Sequence, residues 1–488
     1  MLVDGASEVL NFVNGKFVQS RAKQFFPVMN PGIGKQIAKV PLSPGIEVDD
    51  AVKVARSAFS SWSALPIKER AQVFYRYKVL MEKHFKELAD LIQEENGKTA
   101  VEANAEIDRA IEIVEFAASI PQLAPGEIMQ VSRGVECRVE RFPLGVVASI
   151  TPFNFPNMVP NWTIPNALVL GNAMILKPSQ FTPLSANRIA ELLKEAGLPD
   201  GVLNIVNGAQ ETVEALCDHT GIEALTFVGS TRVAKAVYIR ATSHLKRALC
   251  LGGAKNHLIL LPDANETMAA SNIIASMTGC AGQRCMAASA MVAVGNVDHI
   301  IRLMCEEAKK VIPGKNLGAV ISAEAKKRIE GYITEAEQQG AKILVDGRNA
   351  VVEGKQNGFY VGPTVIDNVQ PEMRIAQEEV FGPVLSIVRV KTLDEAIAIE
   401  NANPYGNAAS VFTQSGGLAH YVMERASAGM IGVNIGVPVP RDPFSFGGWN
   451  ESKFGACDIT GKSSIEFFTK LKKTTTKWNP ESKVNWMS

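Results

Sequence analysis

The chain has 488 residues, of which 46% are hydrophobic and 20% charged, and fifty basic side chains balance fifty acidic ones. At roughly 150 residues per domain this length predicts about three domains and a large buried core. Balanced charge without long single-sign runs argues against nucleic acid or a membrane surface as the main partner, and no apolar run reaches the roughly 20 residues of a membrane helix, so small-molecule chemistry is expected.

Residues 49–95 read as helix, with Asp49 and Asp50 placed to cap the start and Val52, Ala55, Phe59 and Trp62 at helical spacing. Pro66 breaks the run, and a second helix continues through Phe74, Leu80, Phe85 and Leu88. A further helix is predicted over 100–118. From Gly145 the pattern changes to short apolar runs alternating with helical ones. Strands are predicted at 145–151, 173–177, 202–206 and 224–228, and helices at 156–170, 184–195, 211–217 and 231–243. Alternation of this kind means βαβ units and a parallel sheet. A second α/β stretch runs from about 257 to 435, with helices near 269–277, 298–311 and 323–337. Residues 131–142 form a charged, alternating strand, and the tail from Ser464 is rich in β-branched residues and lysine. Neither suits a parallel sheet, and the two are expected to pair as an arm that serves oligomerisation.

The start, Met1-Leu2-Val3-Asp4-Gly5-Ala6-Ser7-Glu8, lacks the basic and apolar regions of a secretory signal, so a cytoplasmic location is expected. Seven scattered cysteines without a Cys-x-x-Cys pair, and six dispersed histidines, predict neither a disulfide framework nor a metal site.

No Gly-x-Gly-x-x-Gly loop follows a strand. The strand ending at Val228 instead runs into Gly229-Ser230-Thr231 at a helix start, where free N–H groups and the helix dipole favour a pyrophosphate. Taken alone, Ser and Thr there are ordinary N-caps. Lys177-Pro178-Ser179-Gln180 stands at the carboxyl end of a parallel strand, within reach of a ribose or phosphate. Gly279-Cys280-Ala281-Gly282-Gln283-Arg284-Cys285 allows tight backbone around a cysteine, and the adjacent guanidinium is expected to favour the thiolate. Thr151-Pro152-Phe153-Asn154-Phe155-Pro156 aims an amide from a backbone fixed by prolines, as an oxyanion hole requires.

Together with Glu378-Glu379-Val380-Phe381-Gly382-Pro383, these segments occur in the order of the aldehyde dehydrogenase superfamily, which the chain resembles along essentially its whole length. The resemblance implies an α/β fold with two parallel α/β domains and a β-arm. Residues 1–125 and 143–252 would form a Rossmann-like cofactor domain, 253–448 a catalytic domain, and 126–142 with 449–488 the oligomerisation arm. It implies NAD as cofactor and a homotetramer. It makes Cys285 the nucleophile, and Asn154 with the Cys285 N–H the oxyanion hole. Glu379 would bind the nicotinamide ribose, and Lys177 and Gln180 the adenosine ribose. Gly229 and Ser230 would take the pyrophosphate, and Thr151 and Phe153 the cofactor wall. Phe181 and Gly252 belong to the same cofactor-binding set.

One departure bears on chemistry. Where hydrolytic members carry a glutamate base in Glu-Leu-Gly-Gly-Lys, this chain has Cys250-Leu251-Gly252-Gly253-Ala254-Lys255, and neither Cys250 nor Leu251 is a carboxylate. Without that base water attacks a thioester poorly, whereas a thiol attacks well. Transfer to coenzyme A is therefore expected. The methylmalonate-semialdehyde dehydrogenase branch lacks this glutamate and uses coenzyme A. The chain resembles it in Gly253–His257, Gly282–Ala287 and Val437-Pro438-Val439-Pro440. By that resemblance Arg109 and Arg284 hold the substrate carboxylate, in keeping with bidentate guanidinium recognition. The implied products are propionyl- or acetyl-coenzyme A and carbon dioxide, and the alternative is a hydrolytic NAD(P)-dependent enzyme that releases a free acid. Gln180 replaces the family's usual glutamate and removes a charge that repels a 2′-phosphate, which weakens the preference for NAD over NADP.

Overall fold

Short buried apolar runs become strands here because helices cover both faces of their sheets. Val146–Ile150, Ala173–Lys177 and Leu203–Ile205 are buried along their whole length. In the computed structural model, residues 7–478 are described. The first sheet has eight strands in the order Lys453–Phe454, Arg247–Leu251, Ala224–Val228, Val146–Ile150, Ala173–Lys177, Leu203–Ile205, Asn11–Val13 and Lys16–Val18. The five central strands are parallel, and the edges are antiparallel. From Val146–Ile150 the chain moves outward to Ala173–Lys177 and Leu203–Ile205, then returns to Ala224–Val228 on the other side. The connection reverses between Val146–Ile150 and Ala224–Val228, and ligands of such sheets bind outside the carboxyl ends at that reversal.

The second sheet has seven strands in the order Lys342–Val345, Thr364–Asp367, Val384–Val390, Ala290–Val294, His257–Leu260, Ala408–Phe412 and Met430–Val433, parallel except for the first. A third sheet pairs Thr469–Lys477 antiparallel with Val135–Pro143, which pairs in turn with Glu127–Ser132. The expected pairing of the tail with the charged strand is thus observed. Not all of 449–488 lies in this arm, however. Lys453–Phe454 edges the first sheet, and the helix Gly461–Phe467 packs beside the helix Met158–Val169.

Helix starts differ from the sequence reading. The first helix is Gly45–Ala64, so Asp49 and Asp50 lie inside it rather than capping it. The Gly45 N–H donates instead to Glu211 of a distant helix. The second helix is divided at His84 into Ile67–Lys83 and Phe85–Asn96. The helix expected over 100–118 spans Ala100–Leu123, opened by a reciprocal capping box between Thr99 and Glu102.

Candidate active site

The two parallel sheets meet end to end. Loops leave the carboxyl ends of the first sheet at Thr151–Asn154 and Gly229–Thr231. Facing them are segments that enter the second sheet at its amino ends: Lys255–Asn256, Cys285–Ser289, Glu379–Pro383 and Asn407. Between them lies a cleft of about 1510 Å³ lined by Thr151, Phe153, Asn154, Lys177, Gln180, Phe181, Gly229, Ser230, Gly252, Cys285 and Glu379. Arg109 and Arg284 are not among its lining residues.

At the carboxyl ends, Ser230 occupies the N-cap of the helix Thr231–Ser243, yet its hydroxyl makes no capping bond. The first N–H groups of that helix are thus left for an anion in the cleft. Rings build one wall: Phe153 stands edge-on to Phe181 and to Phe381, each at 5.9 Å between centroids. Lys177 is buried, and its ammonium donates to the Gly208 carbonyl at 2.9 Å, with no ion pair to a carboxylate among the described residues. Burial pushes its pKa down to about 8. Opposite, the Glu379 carboxylate accepts the Ala254 N–H at 3.2 Å, and burial pushes its pKa up to about 7.

The thiol loop is tightly determined. Cys280 and Ala281 have left-handed backbone, with φ of 53° and 52°, and Gly282 follows at 71°. A Cβ on Gly282 would stand 2.0 Å from the Gly382 carbonyl oxygen, so only glycine fits. Non-glycine residues in this region cost on the order of 1–3 kcal/mol each, so the surroundings must hold the turn. The Asn154 amide donates to the Gln283 carbonyl at 3.0 Å, which joins the two loops and leaves its second N–H unused there. Asn256 and Asn407 donate to the Cys285 carbonyl at 2.6 and 2.9 Å. The sequence reading missed both amides. Their signal was a polar residue immediately ahead of a buried apolar strand, at His257–Leu260 and Ala408–Phe412.

One electrostatic expectation is corrected. Arg284 does act to lower the Cys285 pKa, but burial is the larger effect and Glu379 adds to it, so the thiol is pushed up to about 12. Arg284 is also engaged elsewhere, donating to the carbonyls of Ala275 and Ser276 at 2.9 and 2.8 Å. Its Nε is buried without a partner. Arg109 pairs with Glu112, donates to the Pro440 carbonyl at 3.3 Å, and lies near the half-buried Asp442. At the position of the missing base, Cys250 and Leu251 are buried at the end of their strand, and the cleft wall is Gly252 and Gly253.

The thiol loop and the Asn154 loop, joined across a cleft between two parallel sheets, are the site of an α/β enzyme whose chemistry centres on a thiol. The aldehyde dehydrogenase family model matches residues 17–474, and the chain belongs to that family. It is 44% identical over 486 residues to malonate-semialdehyde dehydrogenase 2 of Geobacillus kaustophilus (strain HTA426), covering 98% of this chain and 100% of the relative. It is 45% identical over 487 residues to malonate-semialdehyde dehydrogenase 2 of Bacillus thuringiensis subsp. konkukian (strain 97-27), with the same coverage. The methylmalonate-semialdehyde dehydrogenase of Oceanimonas doudoroffii superposes with a TM-score of 0.95 at 43% identity, covering 97% of this chain and 99% of that one. A Sinorhizobium meliloti 1021 structure complexed with NAD superposes at 0.97 with 38% identity, covering 99% and 100%.

Proposed function

We propose that the protein oxidises malonate or methylmalonate semialdehyde with NAD and transfers the acyl group to coenzyme A, with loss of carbon dioxide. The observation that carries this reading is the cleft itself. It holds Cys285 and Asn154 together, and its wall is glycine beside the buried Cys250 and Leu251 where a hydrolytic base would stand. The cleft fits a dinucleotide through the uncapped helix start at Ser230, the aromatic wall and the uncompensated Lys177 ammonium. NAD, when bound, supplies the hydride acceptor.

The Cys285 thiolate adds to the aldehyde carbon, and the free Asn154 N–H and the Cys285 backbone N–H hold the resulting oxyanion. Loss of hydride from that carbon leaves a thioester on Cys285. A malonyl-type thioester releases carbon dioxide because its carbonyl stabilises the enolate, which then takes a proton at the α-carbon. The coenzyme A thiol displaces Cys285 and carries off propionyl or acetyl. The substrate carboxylate is assigned to Arg284 and Arg109, which meet it only by turning into the cleft from the Ala275 and Ser276 carbonyls and from Glu112. The arm serves assembly into a homotetramer, and the cytoplasm is the setting that the sequence supports.

In a purified-enzyme assay, sustained NADH formation from either semialdehyde is expected only with added coenzyme A. Without it, a single burst is expected that Cys285→Ala abolishes. Steady turnover to a free acid in water would instead favour hydrolysis, for which Glu379, held near a pKa of about 7, is the base at hand.

A further inference from the structure

The helix Ala100–Leu123 contributes no side chain to the cleft lining, yet its first two turns grip the loops of both reacting groups. Glu102 lies in the first turn. One carboxylate oxygen accepts the Thr99 N–H at 3.0 Å and its hydroxyl at 2.8 Å, and the other accepts the Cys280 N–H at 2.5 Å. Cys280 is the first of the three left-handed residues ahead of the thiol. One turn later the buried Glu106 accepts the N–H groups of Asn157 and Met158 at 2.9 and 3.0 Å, just beyond Asn154. Its other oxygen takes the Lys98 ammonium at 2.5 Å, which stands 3.7 Å from the centre of the Phe155 ring. Residues 102, 106 and 109 share one helical face, so Arg109 extends the same row.

We propose that Glu102 is a positioning residue for Cys285. It pins the strained turn ahead of the thiol to a helix that Glu106 ties to the Asn154 loop, and so sets sulfur and amide in register. The inference rests on Cys285 as nucleophile and Asn154 as oxyanion donor. The position requires a carboxylate: three donors converge on its two oxygens, and an amide would turn an NH₂ toward one set.

The test is a double-mutant cycle on the full-length enzyme, assayed with semialdehyde, NAD and coenzyme A. Glu102→Gln alone is expected to lower kcat by roughly 10- to 100-fold with KM unchanged, the size that misplacement of a reacting group produces. In an Asn154→Ala background the same substitution is expected to cost little more, because the register has lost its partner. Equal losses in both backgrounds, or a wild-type kcat in Glu102→Gln, would overturn the proposal. Should Glu102→Gln fail to fold, Glu102→Asp keeps the charge at the helix start but falls short of Cys280, and the same cycle applies with the same two outcomes. Turnover that survives Cys285→Ala would remove the underlying reading instead. A dead Cys285→Ala beside a fully active Glu102→Gln removes only the positioning role.

Discussion

Cys285 is held by amides on its carbonyl, by burial around its sulfur and by the negative field of Glu379. The last of these is separable. Glu379 ionises near pH 7, and its charge raises the thiol pKa, so removing it must lower that pKa. Glu379→Gln is expected to speed alkylation of Cys285 by iodoacetamide in mildly alkaline buffer and to displace the alkylation profile toward lower pH. Each unit of displacement is worth about tenfold in thiolate below the pKa. An unchanged profile would show that the two groups are not coupled. At this scale the sequence was legible where residues are adjacent along the chain, as in Gly279–Cys285 and Thr151–Pro156. Asn256, Asn407 and Glu102 come from segments far from Cys285, and nothing local marks where an amide or a carboxylate will arrive. The effect of Arg284 was misjudged for a related reason. Its position in sequence is fixed, but desolvation depends on what covers the thiol.

Elements were read well in their cores and less well at their ends. The strands 146–150, 173–177 and 224–228 announce themselves as apolar runs between turn residues. Helix starts depend on partners that local rules do not see. Glu211 satisfies the Gly45 N–H, Glu95 those of Leu184 and Ser185, and Glu106 those of Asn157 and Met158. Three helices thus begin against a carboxylate from another helix, which also exploits the helix dipole. Asn172 does similar work at the first sheet. Its oxygen accepts the N–H groups of Leu144 and Gly145, and its amide donates to the carbonyls of Ala167 and Phe468. Asn172→Ala would strand these buried backbone groups, at about 1–3 kcal/mol each where no water replaces the bond. A loss of at least about 3 kcal/mol in denaturant unfolding is expected on that basis. A loss below about 1 kcal/mol would mean that water satisfies the site.

At the scale of the molecule, chemistry is divided between the carboxyl ends of one sheet and the amino ends of the other. Alternation of strands and helices revealed two parallel sheets, but not that they face each other in this sense, because that follows from crossovers rather than from any segment. The arm presents a further exposed surface. Glu127–Ser132 is an edge strand exposed throughout, with Ile128, Met129 and Val131 61%, 68% and 51% exposed. Apolar side chains beside unpaired backbone suit strand or face pairing with another copy. Met129→Asp with Val131→Asp is expected to lower the mass found by analytical ultracentrifugation, and an unchanged mass would exclude this face as an interface.

The closure of the first sheet has a consequence for how the chain is made. One of its edges is residues 11–18 and the other is Lys453–Phe454, and the arm joins partners such as Cys137 and Thr475, 338 positions apart. A chain emerging from the ribosome can stack its central βαβ units early, but one edge of Arg247–Leu251 and one edge of Val135–Pro143 stay open until Lys453–Phe454 and Thr469–Lys477 have been made. Pairings at such sequence separation are slow to form and leave edges exposed meanwhile, whereas every residue that lines the cleft has been made once Tyr405 is added.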